Sequence, residues 1–330
     1  MLRSNINTEK SDFNYIKEAD HVHEVWNVIE MNIQVYFNKM IEENDELAAL
    51  KANSSFNVQS GTSNIRKKLS KIFETGLQNY KKEESKYKKF FSEESMHEFE
   101  DEDDPKAFKS ALSTKVPVIF NARNSKRESM QEWKEKFATS KAVDVYAIFF
   151  NLIDFLNDYV NEINPTEFGE YNELRNLELL YTLNEDDDYN VPGVIGMGIK
   201  SAVLFHLNST YFLGANKNTL YGFYFLSDCE HFNLPSRTNE FIMINDLKQE
   251  SSKKNSKNLL IDQNYWYPYD LFILYSLRAF RKLKQLCAKH NYPLDDVNRF
   301  VHLNSFMSQI WNNNSEKIGT MTGGDQDDTR

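Results

Sequence analysis

Residues 15–51, YIKEADHVHEVWNVIEMNIQVYFNKMIEENDELAALK, contain neither glycine nor proline. Their apolar side chains return every three or four positions: Val22, Val25, Trp26, Ile29, Ile33, Tyr36, Phe37, Met40 and Ile41. That period collects them on one face of a helix, whereas a half-buried strand would need alternation. The segment is therefore read as a long amphipathic helix. Residues 52–62 are rich in Ser, Asn and Gly and are expected to form a loop. A second stripe, Ile65, Leu69, Ile72, Phe73, Leu77, Tyr80, Tyr87 and Phe91, predicts another long helix over 63–91. Two such helices joined by a short loop are expected to pack as an antiparallel hairpin.

Outward from this pair, residues 93–105 are acidic, poor in apolar side chains and closed by Pro105, as in a linker. VPVIFN, residues 116–121, is β-prone, although Pro117 restricts it to an edge strand. Ser125 and Glu128 have capping-box spacing, which opens a helix running to about residue 139. The most apolar segment, 141–163, predicts a buried helix with Asp144, Asp154 and Asp158 on its exposed edge. A further helix is expected over 167–183, before the polar run 184–190. Residues 221–226 and 240–245 read as a small β-hairpin or sheet, and 247–258 as a loop. Helices are expected over 268–290 and 294–311, followed by a disordered polar tail, 312–330. The expected fold is mainly α, a helical bundle with a minor β-hairpin or small sheet and two subdomains. Residues 1–105 supply the long-helix hairpin and acidic linker, and 106–311 a helical domain.

The 330-residue chain carries 39 Lys and Arg against 49 Asp and Glu, a net charge of −10. That balance excludes a protein that coats nucleic acid through bulk positive charge. An aromatic share of 14% supplies ample core material and excludes wholesale disorder. The N-terminal residues lack a signal-peptide apolar stretch, and no uncharged apolar run is long enough to span a bilayer. Two cysteines, Cys229 and Cys287, make no disulfide framework and fit a reducing compartment. The expected location is cytoplasmic, without membrane contact. Charge is also blocked locally. Residues 61–92 hold nine cations, among them Arg66, Lys67, Lys68, Lys71, Lys82 and Lys86, against Glu74, Glu83 and Glu84. The acidic run 98–104 follows at once. Adjacent opposite blocks are read as neutralising one another or lying solvated on outer faces.

One segment has the spacing of a chemical motif: Gly196-Met197-Gly198-Ile199-Lys200-Ser201-Ala202-Val203-Leu204. Two glycines permit a tight turn, and the residues after them open a helix whose first amides lack partners. A helix N-terminus beside a lysine suits a phosphate. This resembles the hairpin of helix-hairpin-helix DNA-binding proteins, including glycosylases of the endonuclease III type. The resemblance covers about fifteen residues and implies capture of a DNA phosphate by Gly196, Gly198, Ile199, Lys200 and Ser201. Lys200 stands where bifunctional glycosylases carry their nucleophile. The aspartate expected somewhat less than twenty residues later is replaced by Asn216, Lys217 and Asn218, and no four-cysteine cluster exists. Base excision is therefore not expected.

On the helix expected over 268–290, Arg278, Arg281, Lys282 and Lys289 share a face opposite the apolar side chains and form a second candidate phosphate contact. Other constellations are poorer. His21 and His23 point to different sides of a helix, Cys229 and His231 lack a second ligand pair, and Glu132 and Lys134 sit in a helical pattern. The aromatic run 264–269 suits core packing better than base stacking. No metal, cofactor or catalytic set is assigned. The leading expectation is a DNA-backbone-binding module. The alternatives are a scaffold using the N-terminal helix pair to hold a protein partner, and a DNA-processing enzyme with a dispersed site.

Overall fold

The computed structural model describes residues 12–42, 58–101, 104–127, 130–235, 239–245, 260–263 and 267–321. The helices are α1 (Ala19–Glu42), α2 (Val58–Phe90), α3 (Glu93–Asp101), α4 (Pro105–Lys115), α5 (Pro117–Asn124), α6 (Gln131–Thr139) and α7 (Ala142–Glu162). After them come α8 (Pro165–Glu170), α9 (Glu178–Glu185), α10 (Met197–Leu207), α11 (Lys217–Leu226), α12 (Tyr269–Lys289) and α13 (Arg299–Met321).

The decisive stripe behaves as its period requires. Val25, Ile29, Ile33 and Phe37 of α1 are wholly buried. The helix packs on α11 and α12 more extensively than on α2, and α2 in turn packs on α10 and α13. Apolar residues from both sides of residue 105 belong to one hydrophobic cluster. At its centre lie α11 and the first half of α12, buried on every face, as expected of short helices enclosed by others.

The fold is all-α, and the expected minor β element is corrected. Residues 221–226, read as a strand, belong to α11. Asn216 opens that helix by accepting from the amides of Asn218 and Thr219, with Thr219 completing a capping box. Tertiary enclosure overrides the β propensity of its aromatic run. Ile242–Asn245 does not pair with those residues; it forms a four-residue antiparallel ladder with Leu260–Gln263, too small to act as a layer. VPVIFN is helical as well, because Pro117 occupies the first position of α5, where its missing N–H costs nothing.

Four boundaries also differ. Helix α2 begins at Val58, inside the expected loop, whereas 52–57 lie outside the described residues. The expected acidic linker contains α3, and Asp104 then caps α4 by accepting from Lys106 and Ala107 N–H. The single helix expected over 167–183 is broken into α8, a 3-10 turn at Leu174–Leu177, and α9. The tail is helical to Met321, with Asn314 and Ile318 buried, whereas 322–330 lie outside the described residues. The segments 247–258 and 264–266 lie outside them too.

Helix α13 is reached closely from two sides. A Cβ at Gly222 of α11 would lie 2.6 Å from Met307 Sδ and 3.0 Å from its Cβ, and one at Gly76 of α2 would overlap Ser305 Oγ. Replacing Gly222 with Ala should therefore destabilise the fold by roughly 1–3 kcal/mol through overpacking, despite alanine's better helix propensity. Urea unfolding checks this. An unchanged midpoint would show that α11 and α13 can separate freely.

Candidate functional site

The glycine motif opens α10 through a turn that precedes both of its glycines. The positive φ of the turn falls on Gly193, at 72°, and neither Gly196 nor Gly198 needs one. Val194 and Ile195 N–H both donate to Val191 O, closing the turn ahead of the helix. Gly196 caps α10 in extended conformation and is exposed, while Ile199 and Lys200 N–H return to its carbonyl. Gly198 and Ile199 are half-buried. Ser201 is buried and its hydroxyl accepts from Ala215 N–H at 2.9 Å.

Lys200, expected in solvent beside a phosphate, is 1% exposed. Its ammonium donates to Leu183 O and, at 2.6 Å, to Asn190 Oδ1. Leu183 lies in the last turn of α9, where carbonyls lack helical partners. Asn190 donates to Asn184 O and Asp186 O in the same place. The lysine and the asparagine together close the C-terminal end of α9, so the ammonium is spent on internal oxygens. Burial lowers the Lys200 pKa to about 7.

Three of the four cations of the second candidate are engaged with the chain itself. Arg281 donates to Gly169 O and Tyr171 O, and Arg278 to Asn172 Oδ1 and O. These forks hold the chain as it leaves α8, which accounts for the break in the helix expected there. Lys282 pairs with Glu30 at 2.9 Å. Lys289 alone of the four is fully exposed. The minor candidates are separated: His21 is buried against Glu240 at 2.8 Å, whereas His23 and His231 are exposed. Glu240 also accepts from Tyr267 OH. Glu132 pairs with Lys136. Among the described residues, no group of three or more His, Cys, Asp or Glu is placed to hold a metal ion.

What the structure does assemble is a groove of about 840 Å³ between α2, the end of α10 and α13. Lys68, Lys71, Lys82 and Lys86 line its α2 wall. At roughly 100° per residue they fall within about 60° of one another, along about 27 Å of helix. Lys68 donates to Ile41 O at the end of α1, whereas Lys71, Lys82 and Lys86 are exposed. Of the acidic run, the described side chains of Glu98, Glu100 and Asp104 form no ion pair with this wall, and Glu100 faces His97.

Among the described lining residues Glu83 is the one acid, and it faces His206 Nε2 at 3.4 Å. The other ring nitrogen of His206 meets Ala202 O at 2.7 Å, so the ring is held between the carboxylate and a backbone carbonyl of its own helix. The ring stacks on Tyr87 at 4.3 Å and on Tyr80 at 5.7 Å, which fixes it at the groove wall. The hydrogen bond from His206 lowers the Glu83 pKa. The α13 wall supplies Asn304, Ser308, Gln309, Asn312 and Asn313. The sequence sets these lysines on an outer face without a role and gives no role to the α13 wall, of which Asn312 and Asn313 fall in the expected tail. The recurrence of cations at 68, 71, 82 and 86, on one stripe, was the available signal.

Comparison with known proteins gives no match to a family model, to a curated protein or to a solved structure.

The buried lysine has a measurable consequence. Its folded-state pKa lies below the usual value of 10.5, so folding releases a proton between about pH 7 and 10.5. The contribution of this site to stability should rise with pH through that window and be lowest below it. In urea unfolding, the stability of the native protein relative to Lys200→Met should improve on raising the pH from about 6.5 to 9.5. Parallel pH profiles would show that Lys200 does not titrate from a buried state.

Proposed function

We propose that this protein binds the backbone of DNA in an intracellular compartment, and that the contact surface is the α2 groove rather than the glycine turn. The observation that carries the reading is the stripe Lys71, Lys82 and Lys86, exposed along one groove of a chain whose net charge is −10. Separated cations on a single line match a repeating phosphate chain better than a compact anion, and release of counterions supplies the affinity. The Ser and Asn side chains of α13 offer donors to phosphate oxygens. Gly196 contributes an open helix terminus, but its lysine is committed to α9. The location rests on the two free cysteines, Cys229 and Cys287. Among the described residues no helix is long and apolar enough to cross a membrane.

A protein partner on α1 is the second reading. Met31 and Val35, one turn apart on its outer face, are 64% and 44% exposed. The readings separate by substitution. The triple variant Lys71→Glu, Lys82→Glu, Lys86→Glu should weaken binding of a labelled oligonucleotide by about tenfold or more. It should also flatten the plot of log affinity against log salt by about two to three, measured by anisotropy between about 50 and 200 mM salt. Lys289→Glu, away from the groove, should leave both unchanged. Equal loss in the two variants would indicate general charge attraction and remove the groove from the account. Met31→Glu with Val35→Glu should spare DNA binding.

A further inference from the structure

We infer that the groove takes single-stranded rather than duplex DNA, with one unpaired base entering a recess that opens from it between α1 and α13. The inference rests on the DNA-binding reading and adds the form of DNA recognised.

The recess has a volume of about 320 Å³ and shares Met40, Gln309 and Asn313 with the groove. Its floor is apolar: Phe306 and Ile310 are 0% and 2% exposed, and Met40 is 6%. Tyr36 forms one wall and is half-buried. Lys39 and Lys317 stand at the recess as well. A flat apolar body, edged by hydrogen-bonding groups and attached to an anion, is what such a chamber fits. A nucleobase on its sugar-phosphate has that form. Stacking on an aromatic ring, with a carboxamide at the base edge, is the general chemistry by which unpaired bases are held.

A second observation points to a base rather than to phosphate alone. In the adjoining groove the side-chain oxygen of Asn304 is buried and has no hydrogen-bond partner. It is an acceptor and seeks a donor. The amino and imino groups of an exposed base edge supply such a donor. In a duplex those groups are largely paired and the bases are stacked away from the protein wall. A single strand along α2 presents both chemistries at once, phosphates to the lysines and base edges to α13.

The test uses three labelled probes with equal numbers of phosphates: a mixed-sequence single strand, its duplex, and a single strand of abasic residues. At one low salt concentration the base-bearing single strand should bind about tenfold more tightly than either of the others, consistent with about 1.4 kcal/mol per factor of ten. Tyr36→Ala and, as a substitution on the more open wall, Gln309→Ala should each reduce that preference towards unity while leaving the salt slope unchanged. The charge-reversed α2 variant should lower all three affinities and keep their ratio. Equal binding of the base-bearing and abasic strands overturns the base recess and leaves the groove reading standing. Duplex binding as tight as the single strand overturns the strand preference. Failure of all three probes to bind removes the DNA-binding reading itself.

Discussion

Among the described helix ends none is closed by glycine, and much of the placement of charge follows from that. The residues after α5, α6 and α9 are Ser125, Ser140 and Asp186, all in extended conformations rather than the left-handed one that turns carbonyls back on themselves. The terminal carbonyls therefore need donors from elsewhere in the chain. Cations supply them: Lys134 at Ser125 O, Lys109 at Ala138 O and Ser140 O, Lys200 at Leu183 O, Arg281 at Gly169 O, and Lys68 at Ile41 O. Each meets the negative end of a helix dipole as well as an unpartnered oxygen. Several of the cations that invite a phosphate reading are thus already holding oxygens, those of the protein itself. Lys71, Lys82 and Lys86 differ in lying exposed along the groove.

The site depends equally on how closely two helices meet. Gly76 lets α2 approach α13 until Ser305 fills the space a Cβ would occupy, and Gly222 does the same for α11 against Met307. Held on both flanks, α13 sets its amide-rich turns beside the cationic stripe of α2. A larger residue at 76 would push the two walls apart and turn the groove into an open face. Helices α1 and α2, expected as an antiparallel hairpin, touch one another less than they touch helices distant in sequence, α1 against α12 and α2 against α13.

The long periodic stripes were legible because burial of one helix face leaves a mark on every third or fourth residue, as in Val25, Ile29, Ile33 and Phe37. Residues 221–226 were not legible, because a segment enclosed on all sides loses its periodicity and its aromatic content imitates a strand. The Asn-rich run at 312–314 looked like tail, since its polarity reflects the groove it lines and only Asn314 and Ile318 turn inward. The division of one expected helix into α8 and α9 is imposed by Arg278 and Arg281, more than a hundred positions away, which no local pattern can announce. Gly196 to Ser201 carries two readings for a chemical reason. Phosphate oxygens and helix-terminal carbonyls ask for the same donors, so one sequence spacing serves either.

Overall negative charge and a local cationic groove act together rather than in opposition. Over most of the surface, excess carboxylates repel a polyanion, and the repulsion extends about a Debye length, roughly 8–10 Å at moderate salt. Along α2 the sign reverses, and the concave wall between α2 and α13 concentrates the field. On the DNA-binding proposal, an approaching nucleic acid would be repelled from faces where contact is unproductive and admitted along the α2 stripe. A few phosphates would supply only limited affinity, which leaves discrimination to the amide and aromatic groups of α13 and α1. In that proposal the cations choose the place of contact and the neutral wall opposite them chooses the ligand.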